Sequence, residues 1–466
     1  MLRAQDTWRR CYGGGGSDQA VAIRACADGG FAVLGTTGSF GNGASDLYLL
    51  RIDAAGSPLW SRLYGGEGAE SAAGIVVLED GFLLCGTTAD GPLGGYDAWA
   101  VRTDASGAPV WEHHYGGTDW DLCAGAIAVS DGFLLVGQTF SGNHAQGAGF
   151  AFRLNNNGDV LWEHAAPGAE ATAYSAALAL PGGRVAICGA ASTVAEDDQG
   201  LLTVINSDGG TAWSITHGGT GSDRFDGLAE RPQGGILAIG ATRSGAPVQR
   251  ILLSAFDANG TLDWERYFGN TADAGGTDIC RAHGEGFALT GYNTLNAGNR
   301  DMIFTLADND GWFQTGNNFG DGRPADGRSI IADPSGGYAI AGWIEETGPG
   351  PRSMYVVRTN GSGQTAAITV ACFNDPVGLS ERTPPTMLRL SPNPAPVGSS
   401  VRMEGDRSSI QRIDLMDGRG RTIGTTPLRI ADDRIVLPAS AIGTFFLVFH
   451  LHDGRAFAQP LTVIED

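Results

Sequence analysis

An acidic side chain recurs at a fixed distance from a tryptophan. Asp18, Glu70, Asp121 and Asp223 stand ten residues after Trp8, Trp60, Trp111 and Trp213. Asp278 and Asp326 take the same place if four residues are inserted after Trp264 and Trp312, and Thr172 interrupts the series. Hard cations such as calcium collect several oxygens, so a ring of these six carboxylates is a candidate calcium site. A second chemistry competes with it. Each carboxylate follows a glycine-rich turn, and it can accept hydrogen bonds from the amides of that turn. Capping of this kind repeats automatically with the turn, and it is the expected role.

Other reactive constellations are sparse. The eight histidines include no H-E-x-x-H, and no G-x-S-x-G elbow occurs. His450 and His452 fall on one face of a strand, as a metal pair or a surface pair. All 30 basic residues are arginine. Without lysine there is no Walker A loop, no Schiff base and no Ser-Lys dyad. The net charge of −21 argues against a nucleic-acid partner. No run of 18 apolar residues suggests a membrane-spanning helix. Seven cysteines leave at least one unpaired, and no C-x-x-C pair suggests a zinc ribbon. Cys85 and Cys188 directly precede a repeated glycine and read as core residues, whereas Cys11 and Cys372 flank the repeat region, where a bridge is possible. No cofactor beyond calcium is expected.

These residues are spaced by a repeat. The seven tryptophans Trp8, Trp60, Trp111, Trp162, Trp213, Trp264 and Trp312 step by 51 or 52 residues, except for a last interval of 48. Gly35, Gly86, Gly137, Gly189, Gly240, Gly291 and Gly342 keep pace with them. Between them lie short apolar runs bounded by Gly, Asp or Asn, which is a strand pattern. Four strands in about fifty residues make one propeller blade. The fold class expected is all-β: a seven-bladed β-propeller over residues 7–363, followed by a small Ig-like sandwich. Residues 7–12, with Trp8, should close the ring as the outermost strand of the blade built from 327–359. The acidic series would then lie near one mouth of the channel. Residues 364–385 read as a linker and 386–466, with new short alternating runs, as the sandwich. Between its strands the repeat carries a D-x-x-G turn, as at Asp53-Gly56, Asp104-Gly107 and Asp257-Gly260.

The strings YGGGGSD with DGGFAVLGTT, YGGEGAE with DGFLLCGTT, and YGGTDWD with DGFLLVGQT resemble bacterial secreted seven-bladed repeats of the SBBP type. Kelch repeats have similar length but want Gly-Gly where this chain has Gly-Thr-Thr. The C-terminal region resembles the type A sorting domain of the type IX secretion system of Bacteroidota. Ser391-Pro392-Asn393-Pro394 matches its opening, with Asn393 and Pro394 as the core of the motif. Ile413 to Arg421 matches its strand and turn through Asp417 and Gly420, and Gly443-Thr444-Phe445 its late element. Ser391 replaces the usual aromatic, and the last residues are acidic rather than basic. The resemblance implies export by the type IX machinery to the medium or the outer-membrane surface. Ala4-Gln5 before Asp6 resembles the end of a cleaved signal, so an export signal is expected upstream. The function expected is a monomeric binding or structural module for an extracellular ligand. The alternative is an extracellular hydrolase acting on glycans or peptides at the channel mouth.

Overall fold

A computed structural model gives the structure. It describes residues 7–464 apart from 167–170, 193–196, 270, 296–298, 346–350, 367–369, 375–388, 392, 394, 397, 405–409, 418–421, 427–433, 437–442 and 452–455. Each repeat folds as a four-stranded antiparallel sheet, and seven such blades follow one another. Blade 1 runs from the inner strand Asp18–Ala25 through Phe31–Thr37 and Asp46–Ile52 to the outer strand Pro58–Tyr64. The second and third strands are buried along almost their whole length, because neighbouring blades cover both faces. The repeated glycine has a steric cause. A Cβ on Gly35 would overlap the carbonyl oxygen of Gln19, and the same collision recurs at Gly189 with Ala173 and at Gly342 with Asp326.

Each outer-strand tryptophan packs on the turn of the next blade. A Cβ on Gly56 would meet the Trp8 ring at 3.0 Å, and Gly56 has a φ of 80°, which glycine adopts without cost. The Trp8 indole donates to Ala54 O at 3.0 Å, and the Tyr12 hydroxyl donates to Gly56 O at 2.7 Å. Trp111 and Trp162 repeat the indole contact on Asn156 and Ser207. Burying such a ring contributes about 2–3 kcal/mol. Blade 6 departs from this. Leu306 pairs with Thr315, the position that pairs Arg51 with Trp60 in blade 1. Thr315 therefore holds the blade-tryptophan place, and Trp312 lies outside the series, 59% exposed. The short last interval of the tryptophan spacing marks this substitution.

Closure occurs as the spacing predicts. Trp8–Gly13 pairs antiparallel with Arg352–Thr359, in register from Trp8 opposite Arg358 to Tyr12 opposite Met354. Buried Arg358 locks the seam: it pairs with Asp333 at 2.7 Å and donates to Ala54 O of blade 1 at 2.6 Å. The segment expected as a linker begins differently. Ala371–Asn374 adds a fifth strand to this blade, parallel to Trp8–Gly13, and a disulfide joins Cys11 to Cys372 across a Cα separation of 4.4 Å. The closing strand leaves an open edge, which that strand covers. Beyond it, a three-stranded and a five-stranded sheet share one core, with Val401 and Ile435 from the first and Ile413, Leu447 and Leu461 from the second.

Candidate binding site in the central channel

The inner strands carry the site. Each contains one β-bulge at the same register, for instance between Ala20 and Ala22 in blade 1 and between Phe225 and Gly227 in blade 5. A bulge leaves one residue outside the ladder and re-aims its side chain. The seven residues so released are Val21, Ala73, Ala124, Ser175, Asp226, Thr277 and Arg328, and all of them line one cavity of about 650 Å³ in the channel. The ring is uneven. Blades 1 to 4 contribute small or apolar groups, and blades 5 to 7 contribute polar and charged ones.

On the polar side, Arg224 grips Asp226 through Nε at 2.8 and 3.2 Å. Arg300 and Arg328 converge on a single oxygen, Oδ2 of Asp326, at 3.1 and 3.4 Å. The Arg300 guanidinium also lies 3.5 Å over the Tyr292 ring, which fixes its plane. Asp278 accepts the backbone amides of Ile279 and Ile330, each at 2.8 Å. Arg24 reaches Ser329 Oγ at 3.3 Å from blade 1. Burial pushes the carboxyl pKa values of Asp226, Asp278 and Asp326 up; Arg224, Arg24 and Arg328 respectively are the main groups opposing it.

The acidic series divides in two. Asp18, Glu70, Asp121 and Asp223 open their inner strands, and each caps its own turn. Asp121 Oδ2 accepts Gly117 N at 2.7 Å and Ser141 Oγ at 2.8 Å, and Asp223 Oδ2 accepts Gly219 N at 2.8 Å and Ser244 Oγ at 2.6 Å. Asp18 accepts Gly14 N and the hydroxyls of Thr37 and Ser39. Glu70 accepts Gly66 N and the Thr88 hydroxyl, and burial pushes its pKa up to about 7. Asp278 and Asp326 do not hold this place. Ala274 and Ala325 open the inner strands of blades 6 and 7, so no four-residue insertion exists, and both aspartates lie further along, in the channel. Among the described residues, no three His, Cys, Asp or Glu side chains gather as a metal-binding group.

A second cavity of about 500 Å³ lies beside blades 2 to 4, walled by Tyr96, Trp120, Gln138 and Phe140, with Met416 and Val448 of the C-terminal sheet on its border. In that sheet Asn393 Oδ1 accepts Thr462 N at 3.0 Å, Gly443 pairs with Val463, and Asp417 pairs with buried Phe445. Pro394, Gly420 and His452 lie outside the described residues. The channel ring was missed by sequence reasoning, although its members recur at steps of 51 or 52 residues. The missing signal was the bulge, which decides which inner-strand residue faces the axis.

No family model matches the chain, and no curated protein matches it. Solved structures do. Sqt1 from Chaetomium thermophilum is 12% identical with a TM-score of 0.42, over 77% of this chain and 100% of that one. BBS1N, solved in complex with ARL6DN, is 11% identical with a TM-score of 0.42, over 75% of this chain and 96% of that one. A subtype N11 neuraminidase-like protein of a flat-faced bat isolate is 11% identical with a TM-score of 0.38, over 78% of this chain and 91% of that one. The chain is an all-β protein with a seven-bladed propeller. No helix among the described residues is long and apolar enough to cross a membrane.

Proposed function

We propose that this chain is an extracellular binding module whose ligand enters the propeller channel. One observation carries the reading: seven backbones of one design enclose a channel whose side chains are not repeated, with charges confined to blades 5 to 7 and to Arg24 of blade 1, which reaches over to blade 7. Repetition serves the ring, and the departure from it marks a site. A cavity of about 650 Å³ is of the size that takes small ligands. The Cys11–Cys372 disulfide fits an oxidising compartment outside the cytoplasm. Export through residues 386–466 as a type IX sorting domain is part of the proposal, supported by the motif residues and the two-sheet sandwich. Soluble glycans and small metabolites should be screened against the wild type and Ala124→Trp, which fills the channel from its small-residue side. Loss of the hits in the variant supports the reading; hits that survive it place binding elsewhere. For export, a fluorescent protein carrying a signal peptide and residues 386–466 should reach the surface of a type IX-competent host. Retention inside the cell would remove the sorting assignment.

A second reading, an extracellular hydrolase, is favoured by one feature: Asp226, Asp278 and Asp326 share a cavity and all have raised pKa values. Each of them, however, is already engaged by an arginine or by backbone amides, which suits a fixed charge network better than proton transfer. Hydrolysis of a glycan or peptide substrate that stops in Asp326→Asn would move the assignment to this reading.

A further inference from the structure

The channel is cationic in a chain that is not. Four arginines (24, 224, 300 and 328) face three aspartates (226, 278 and 326) across it, although acidic residues outnumber basic ones by 51 to 30 in the whole chain. The arginines are not used up by their partners. Arg300 and Arg328 share one carboxylate oxygen, and Arg224 holds Asp226 through Nε with the Tyr292 side chain as a further hydrogen-bond partner, which still leaves N–H groups of these three forks to other acceptors. Their side chains are 41%, 39% and 42% exposed for Arg224, Arg300 and Arg328, so they are open to the channel. Asp326, with no exposed surface, anchors two of them from behind. The opposite wall is made of Ala73, Gly74, Ala124 and Gly125, whose side chains end at Cβ or earlier.

We infer that the channel binds a monocarboxylate of monosaccharide size, its carboxylate held by Arg224, Arg300 and Arg328 and its uncharged body lying on the alanine-glycine wall. The inference rests on the channel-binding reading above and names its ligand class. Guanidinium forks match a planar carboxylate in two-point contacts. The excess of a single positive charge suits a monoanion. A doubly charged tetrahedral anion would face the three aspartates without compensation. The small-residue wall offers room and no charged partner, which suits a neutral body.

Calorimetric titration tests this with glucuronate, galacturonate and gluconate as probes, glucose as the neutral counterpart, and inorganic sulfate. The expected result is saturable binding of at least one carboxylate, none of glucose, and affinity falling with added salt. Arg300→Gln with Arg328→Gln should weaken it about 10-fold to 100-fold, as for lost hydrogen bonds to a charged group. Because that pair leaves Asp326 without its counter-charges, Ala124→Leu gives a second arm: it keeps every charge, occupies the opposite wall and should also abolish binding. Binding of sulfate alone, equal binding of glucose, or binding that survives both variants overturns the inference. So does failure of all three carboxylates at tens of millimolar. If neutral ligands then bind and Ala124→Trp removes them, the binding-module reading stands while the carboxylate class falls.

Discussion

The two sides of the channel share a backbone and differ in side chains. At the bulge, blades 1 to 4 place Val21, Ala73, Ala124 and Ser175, and blades 5 to 7 place Asp226, Thr277 and Arg328. The ladders around these residues have the same register in all seven blades. What holds the ring is therefore what repeats: the glycine opposite the bulge in all seven blades, the tryptophan on the next blade in six, and the carboxylate cap in four. What can select a ligand is what does not repeat.

Substitutions in the repeated layer should cost alike on both sides. Gly189→Val in blade 4 and Gly240→Val in blade 5 both force a side chain against a strand carbonyl, of Ala173 and Arg224 respectively. Each should destabilise by about 3 kcal/mol, read by denaturant unfolding. A cost confined to one side would mean that the blades are not equivalent scaffolds. The tryptophans sharpen the contrast next. Trp60→Ala should cost about 2 kcal/mol, because its ring packs on Gly107. Trp312→Ala should stay below about 1 kcal/mol, because that ring is exposed and carries the Arg266 guanidinium 3.9 Å over its face.

A smaller effect follows from Glu70. Its folded pKa of about 7 lies above the ordinary carboxylate value. The folded state therefore holds a proton that the unfolded chain releases, and stability falls as pH rises from about 4.5 to 7. Glu70→Gln should flatten that part of the melting-temperature profile by about 2 °C. An unchanged slope would assign the decline to other groups. The smallest effect concerns cations at the turn caps. With the carboxylates of Asp18, Asp121 and Asp223 already engaged by amides and hydroxyls, a few millimolar calcium should move the melting temperature by less than about 1 °C. A larger rise that disappears when all three are changed to Asn would establish a cation site.

Much of the scaffold was legible because a repeat states its geometry seven times. Trp8 lacked a turn before it, and that alone placed it on the last blade. Ring closure likewise brought Cys11 towards Cys372. Spacing misleads where a single tryptophan departs from the period. Counting from Trp312 required insertions that do not exist, whereas steps of 51 from Asp223 lead to Ala274 and Ala325. The strand Ala371–Asn374 was not legible, since its parallel pairing depends on an edge that exists only once the ring has closed. The arginine cluster was hidden for another reason. Arg224, Arg300 and Arg328 come from three blades and from inner and third strands, so only the folded channel brings them together.

The most direct test of the account is a crystal structure grown with the tightest-binding of the three sugar acids. Density for the carboxylate between Arg224, Arg300 and Arg328, with the body against Ala124 and Gly125, is the predicted result. A ligand seated on the outer tryptophan layer, in the cavity by Trp120, or in the channel with its carboxylate turned away from these arginines would contradict it.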